Sequence, residues 1–231
     1  MTARPSDRAW DNIGTQQPCV LIYSHLLPGI TNVTDRAVYY GFYPWFIWAF
    51  EKRRPDASDA EFRAELRKAD CLLTLIAYRH AVACRDHDNG RHGVSCPGNR
   101  KLAPAAEDLR PDDILNLSRY AAASDRNPDR YFKNPLGGLG QYYLGVLRDD
   151  MGVLHGDVRT GVRYTHDIGT PVASDFADGV DETLFFSALD ADEVDTTRLD
   201  QLAALGSTGL SLVRNIESGE TERVEASPQT P

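Results

Sequence analysis

The chain has 231 residues, 42% of them hydrophobic, and a formal net charge of −9. That is enough apolar material for one large domain or two small ones with a proper core, which excludes wholesale disorder. The longest apolar run, "AVYYGFYPWFIWAF", is interrupted by Pro44 and falls short of the ~20 residues that a membrane span needs. The opening "MTARPSDRAWDNIG" lacks the apolar stretch of a secretory signal, and four cysteines in a chain of this length do not suggest a disulfide scaffold. These features predict a cytoplasmic protein with no membrane contact.

The charge is skewed in kind and in place. Aspartate supplies 24 of the 34 acids, and lysine only 4 of the 25 bases. A GC-rich genome accounts for this. So does a salt-rich cytoplasm, where short hydrated carboxylates keep a surface solvated. From Arg36 to Lys101 bases outnumber acids 12 to 8, whereas from Thr170 onward acids outnumber bases 13 to 3. Any nucleic-acid face is therefore expected in the first two thirds of the chain.

In chain order, residues 1–17 read as a flexible lead. "PCVLIYSHLLPGITN" follows, ambiguous between strand and short helix until the turn signal Pro28-Gly29. Thr34-Asp35 can cap a helix reaching Arg53-Arg54, with a kink or a junction of two helices at Pro44. Its aromatic residues, Tyr39, Tyr40, Phe42, Tyr43, Trp45, Phe46, Trp48 and Phe50, stand without interleaved bases. They read as core and not as a base-stacking platform. "SDAEF" is a capping box in which Ser58 and Glu61 satisfy each other's backbone. The helix it opens carries Phe62, Leu66, Ala69, Leu73, Ile76, Ala77 and His80 on one face, to about Cys84. Residues 85–100 read as a polar loop, "PDDILNLSRYAAA" as a helix with Pro111 near its start, and "SDRNPDRYFKNPLGG" as a connector. No internal repeat is visible.

Cys84, His87, His92 and Cys96 form C-x2-H-x4-H-x3-C. This set could hold a structural zinc ion in a tetrahedron, with Gly90 and Gly93 permitting tight turns. The alternative is a solvated polar loop, with Cys84 facing inward from the helix end. Asp86, His87 and Asp88 in the same loop support a third idea, a divalent-metal nuclease site, but the remote Glu and Lys that such a site normally adds are missing from it. "PLGGLGQ" lacks the Lys-Ser/Thr of a phosphate-binding loop, and no G-x-S-x-G occurs. His155 and His166 read as a cross-strand pair.

From Gly140 the pattern changes. A helix with Tyr143, Leu144, Leu147 and Met151 on one side ends at the C-cap glycine Gly152. Val153-Leu154 begin a strand, "DVRTG" turns, "VRYTH" returns, and Asp167 caps another helix through Val172, Ala173 and Phe176. With "MGVL" and "YTHDIG" in their places, this segment resembles the second half of a winged helix-turn-helix. The resemblance covers about forty residues and departs from the pattern upstream, where the connector at 124–138 intervenes. It implies that Gln141, Tyr142 and Arg148 face the major groove of duplex DNA and that Arg159 and Arg163 touch phosphates. Asp149, Asp150 and Asp157 share that surface and oppose phosphate. Winged helices also serve as protein-docking modules. A second segment, "LLPGITNVTDRAVYYGFYPW", is similar to an uncharacterised prokaryotic family found in mobile-element and phage-defence neighbourhoods. Leu27, Pro28, Gly29, Arg36, Ala37, Tyr39, Tyr40, Phe42 and Trp45 match it.

The expectation is a mainly α protein. A flexible lead (1–17) precedes a helical domain (18–123). A winged-helix-like domain with a small antiparallel hairpin (124–206) and an acidic flexible tail (207–231) follow. The expected function is that of a non-catalytic DNA-binding accessory or regulatory protein of a defence or mobile-element system. The alternatives are a protein-interaction subunit that docks through the winged helix, and a metal-dependent nuclease.

Overall fold

A computed structural model of the chain describes residues 37–83, 99–123 and 127–202. The N-terminal lead, residues 18–36, the cysteine–histidine loop and the acidic tail lie outside the described residues. The fold is mainly helical with small antiparallel two-stranded sheets, as the sequence led us to expect. Among the described residues no helix is long and apolar enough to cross a membrane.

Helix α1 (Ala37–Arg53) runs through Pro44 without a break, where a junction of two helices was one expectation. Proline already has a helical φ, so the cost is one backbone bond and local crowding. The rings on either side outweigh it: Tyr39, Phe42, Tyr43, Trp45, Phe46 and Ile47 are each at most 2% exposed. A helix apolar on all sides belongs in the interior, and α1 lies there.

Helix α2 (Asp59–Ala83) begins at the expected capping box. The Ser58 N–H donates to Glu61 Oε2 (2.8 Å), and the Glu61 N–H donates to Ser58 Oγ (3.3 Å). Its buried surface is wider than one face. Leu66, Ala69, Leu72, Leu75 and Ile76 are buried, and so are Arg67, Asp70, Cys71 and Thr74, while Leu73 is only partly buried. Helix α3 (Asn99–Glu107) and the short α4 (Leu117–Ala121) pack against α2. The expected helix near Pro111 starts later and is shorter than the sequence suggested. Leu115–Asn116 form strand β1 instead, and Asn116 caps α4 by accepting from the Arg119 N–H (3.0 Å).

Helix α5 covers residues 137–150 and contains two π turns, Leu139–Tyr143 and Val146–Asp150. Each π turn rotates the following side chains relative to a 3.6-residue repeat. Tyr143 and Leu147 are buried as expected, but Met151 has swung out and is 41% exposed. Gly152 ends the helix at φ +64°, the left-handed cap that the sequence indicated. Strands β2 (Leu154–Asp157) and β3 (Gly161–Tyr164) form an antiparallel hairpin with Leu154 opposite Tyr164 and His155 opposite Arg163. His155 therefore faces an arginine and not His166. Helix α6 (Gly169–Ala177) follows. Its first turn is satisfied by Thr165, whose Oγ1 accepts from the Gly169 N–H (3.0 Å), and not by Asp167. Helix α7 (Glu182–Ala191) leads into β4 (Glu193–Val194), which pairs with β1.

Among the described residues the buried apolar side chains form one continuous cluster. Trp45 of α1 meets Phe176 of α6 with ring centroids 5.7 Å apart and Phe185 of α7 at 5.2 Å. Tyr39 and Tyr43 meet Tyr143 of α5 at 5.1 and 5.4 Å. The boundary expected after residue 123 thus crosses a shared core, and the hairpin leans on α1. Gly41 sits where α1 and α6 come closest, and a Cβ there would run into the Phe176 ring. Helix propensity favours alanine over glycine by about 1 kcal/mol, so the two effects oppose. We expect Gly41→Ala to lower stability by about 1–3 kcal/mol in urea unfolding, because Phe176 is packed on Phe42 and Trp45 and has little room to yield. A rise in stability would show that the α1–α6 contact is loose.

Candidate functional site: a basic pocket beside a buried aspartate

The residues expected to touch DNA gather around α5 and the hairpin, but most are engaged with their own neighbours. Arg148 holds Asp149 in a two-pronged pair (Nε to Oδ1 2.7 Å, Nη2 to Oδ2 2.8 Å), which lowers the Asp149 carboxyl and raises the guanidinium. Arg163 pairs with Glu51 of α1 at 2.9 Å and lies 3.9 Å from Asp59. Gln141 donates through Nε2 to Tyr142 Oη (2.6 Å). Arg159 stands exposed in the hairpin turn. That turn is fixed by Asp157, whose Oδ1 accepts from the backbone N–H groups of Arg159 (2.7 Å) and Thr160 (2.9 Å). These bonds, Thr160 first, hold the Asp157 carboxyl below the usual carboxylate range. Cys84, His87, His92 and Cys96, the expected zinc ligands, lie outside the described residues. Among the described residues no group of three or more His, Cys, Asp or Glu side chains is placed to hold a metal ion.

A different cluster stands on α2. Arg63 and Arg67, one helical turn apart, line a cavity of about 280 Å³ with Arg130, Phe132, Lys133 and Asn134 from the connector. Among the described residues no carboxylate lines it. Arg67 is 8% exposed. Its Nε donates to the Ala121 carbonyl (2.8 Å) and its Nη1 to the Pro135 carbonyl (2.7 Å), so this guanidinium pins α4 and the connector to α2. Burial, followed by the like charges of Arg63 and Arg130, lowers the Arg67 pKa. Arg130 braces the opposite wall through the carbonyls of Phe132 (2.7 Å) and Lys133 (3.1 Å).

Asp70 lies one turn beyond Arg67 and is 1% exposed. Tyr43 Oη donates to its Oδ1 (2.8 Å) and the Gly138 N–H donates to its Oδ2 (2.8 Å). The carboxylate thus fastens α1 to α2 and caps the start of α5. The chain reaches it through Gly137 at φ +59°, where a Cβ would collide with Oδ2. Burial pushes Asp70 up to about 7 despite both hydrogen bonds and the nearby Arg67, and burial also raises Tyr43.

Sequence reasoning singled out neither Asp70 nor the four bases. An acid between Ala69 and Cys71, within the apolar stretch of a capped helix, was the available signal for Asp70. The pocket had none, because Arg67 and Pro135 are 68 positions apart. No family model matches the chain, and searches of curated proteins and of solved structures return no match.

Because its folded pKa lies above the ordinary carboxyl value of 3.8, native Asp70 holds a proton that the unfolded chain has released. Its contribution to stability is therefore most favourable below about pH 4 and falls as pH rises through about 7. Comparing the chain with Asp70→Asn in urea at pH 5 and pH 8 isolates this group from other carboxyls. The stability of the wild type relative to the variant should fall between the two, by an amount on the order of a few kcal/mol. An unchanged difference would mean that Asp70 is ionised throughout.

Proposed function

We propose that this chain is a non-catalytic binding subunit whose helix–hairpin–helix segment, α5 through α6, docks on a protein component of a larger assembly. The observation that carries the reading is the state of Arg148 and Arg163. Both are neutralised by carboxylates of this chain, Asp149 and Glu51, where phosphate contact requires open cations. Beside them the hairpin base presents apolar surface. Met151 is 41% and Ile168 44% exposed, and Ile168 Cδ1 lies beside Gly152, the residue that follows Met151. Exposed Asp149 and Asp150 flank the patch. A partner with an apolar centre and a basic rim suits it.

The exposed Arg159 favours the second reading, a DNA-binding accessory whose hairpin turn touches backbone phosphate. The similarity of residues 26–45 to the prokaryotic family supports a place in a phage-defence or mobile-element system for either reading.

Photo-crosslinkers placed at Met151 and Ile168 in the source cells should capture a discrete protein. The purified pair should then bind, and Met151→Glu with Ile168→Glu should weaken it by at least about tenfold, the loss of one central contact. Saturable, salt-sensitive binding to duplex DNA that Arg159→Glu abolishes would overturn docking in favour of the second reading.

A further inference from the structure

We propose that the cavity formed by Arg63, Arg67, Arg130 and Lys133 is a binding site for a phosphate monoester. This rests on observations separate from the docking surface, and either can fail without the other.

The decisive group is Arg67. The residue is 8% exposed, and the bonds of its guanidinium to the Ala121 and Pro135 carbonyls supply no counter-charge. Asp70 is the nearest candidate on the same helix. Its oxygens are taken by Tyr43 and the Gly138 N–H, and it forms no ion pair with Arg67. A buried cation without an anion is costly, and here two more cations on the same cavity add to the cost through Arg63 and Arg130. A ligand bearing negative charge relieves Arg67.

Donors on Arg67, Arg63, Lys133 and Asn134 are open to such a ligand. Nε and one Nη1 hydrogen of Arg67 are engaged, which leaves the Nη2 group for an oxyanion. Among the described residues neither Arg63 nor Lys133 forms an ion pair. Asn134 spends its Oδ1 on the Leu136 N–H (2.9 Å) and keeps its amide donor. Arg supplies forked, planar recognition and Lys a point charge, the combination that suits the several oxygens of a terminal phosphate.

Shape selects among phosphate carriers. The cavity holds about 280 Å³, slightly below the range of pockets that enclose drug-sized ligands. It accepts a phosphate and part of the group that bears it. Strand-tracking sites use an extended basic groove with stacking aromatics, whereas these four cations line one compact concavity. A doubly charged terminus is therefore favoured over a diester running past. A nucleotide and the 5′ end of an oligonucleotide carry the same terminal chemistry.

Titration calorimetry on the full chain tests this with four probes: inorganic phosphate, a nucleoside 5′-monophosphate, a 5′-phosphorylated single-stranded oligonucleotide, and the same oligonucleotide with a 5′-hydroxyl. We expect saturable binding of one or more phosphorylated probes and at least about tenfold weaker binding of the hydroxyl form. Tightest binding by the mononucleotide identifies a small-molecule ligand. Tightest binding by the phosphorylated oligonucleotide identifies a nucleic-acid end. Arg67→Ala risks the fold, so the variants are Arg63→Ala and Lys133→Ala, on partly and fully exposed positions, with melting temperature as the control. Each should weaken binding by about tenfold, while Arg198→Ala, on a residue that lines a different cavity, should leave it unchanged. Failure of every phosphorylated probe to bind at millimolar concentration would overturn the proposal. Indifference to the 5′ group, or to both substitutions, would do the same.

Discussion

The burial of α1 is the constraint on which the rest of this structure depends. An apolar helix with rings on every side has to be surrounded, and the chain surrounds it with α2, α5, α6, α7 and the hairpin. Phe42 and Trp45 take Phe176 and Phe185, while Tyr39 and Tyr43 take Tyr143. Each large ring removes some 150–250 Å² of surface from water, so the cluster supplies much of the driving force for bringing distant segments together. The same cluster explains why the hairpin is not a free-standing wing. Glu51, in the last turn of α1, reaches Arg163 on β3 and ties the hairpin to the helix.

Polar groups inside such a core must be justified one by one, and α2 carries two charged ones a single turn apart. Asp70 is answered within the chain, by Tyr43 and by the backbone at the start of α5. Its high pKa follows from its depth, and the two hydrogen bonds pull the other way without cancelling it. Arg67 is answered only by backbone carbonyls. Carbonyl dipoles take two of its donors and supply no counter-charge, so the two residues pose opposite questions. Asp70 holds the fold together. Arg67 does so too, and in addition it creates a local field that the fold itself does not quench.

What could be read from the sequence divides along physical lines. The α1 rings were legible as core because no bases are interleaved among them, and the Ser58–Glu61 box because both partners lie within one turn. Gly152 and the hairpin were legible because left-handed glycines and alternation are local signals. Met151 was misplaced because π turns break the 3.6-residue repeat that placed Leu147 correctly. Asp167 looked like the cap of α6, but Thr165 bends over the turn and satisfies it from two residues earlier. The surrounding of α2 was hidden, since a single sequence reveals the face a helix must bury and not how many neighbours will cover the others. The pocket was invisible for the same reason, being made by a connector that returns to α2 after 68 positions.

Arginine has no fixed meaning in this chain; the carboxylates around it, or their absence, decide what each one does. Arg148, Arg163 and Arg67 are the same residue type, and a count of bases treats them alike. Arg148 and Arg163 sit on a surface that supplies Asp149 and Glu51, so the field they project is short and largely local. Arg67 shares one concavity with Arg63, Arg130 and Lys133, and among the described residues no acid lines it. In a protein with net charge −9, a wall on which no described residue is a carboxylate is the unusual feature, more so than any run of bases. Negative ligands approaching an acidic molecule meet a net repulsion, and the same repulsion makes a basic concavity on it selective. Net charge and local charge thus act together: the acidic surface narrows where an anion can settle, and the buried guanidinium sets what it finds there.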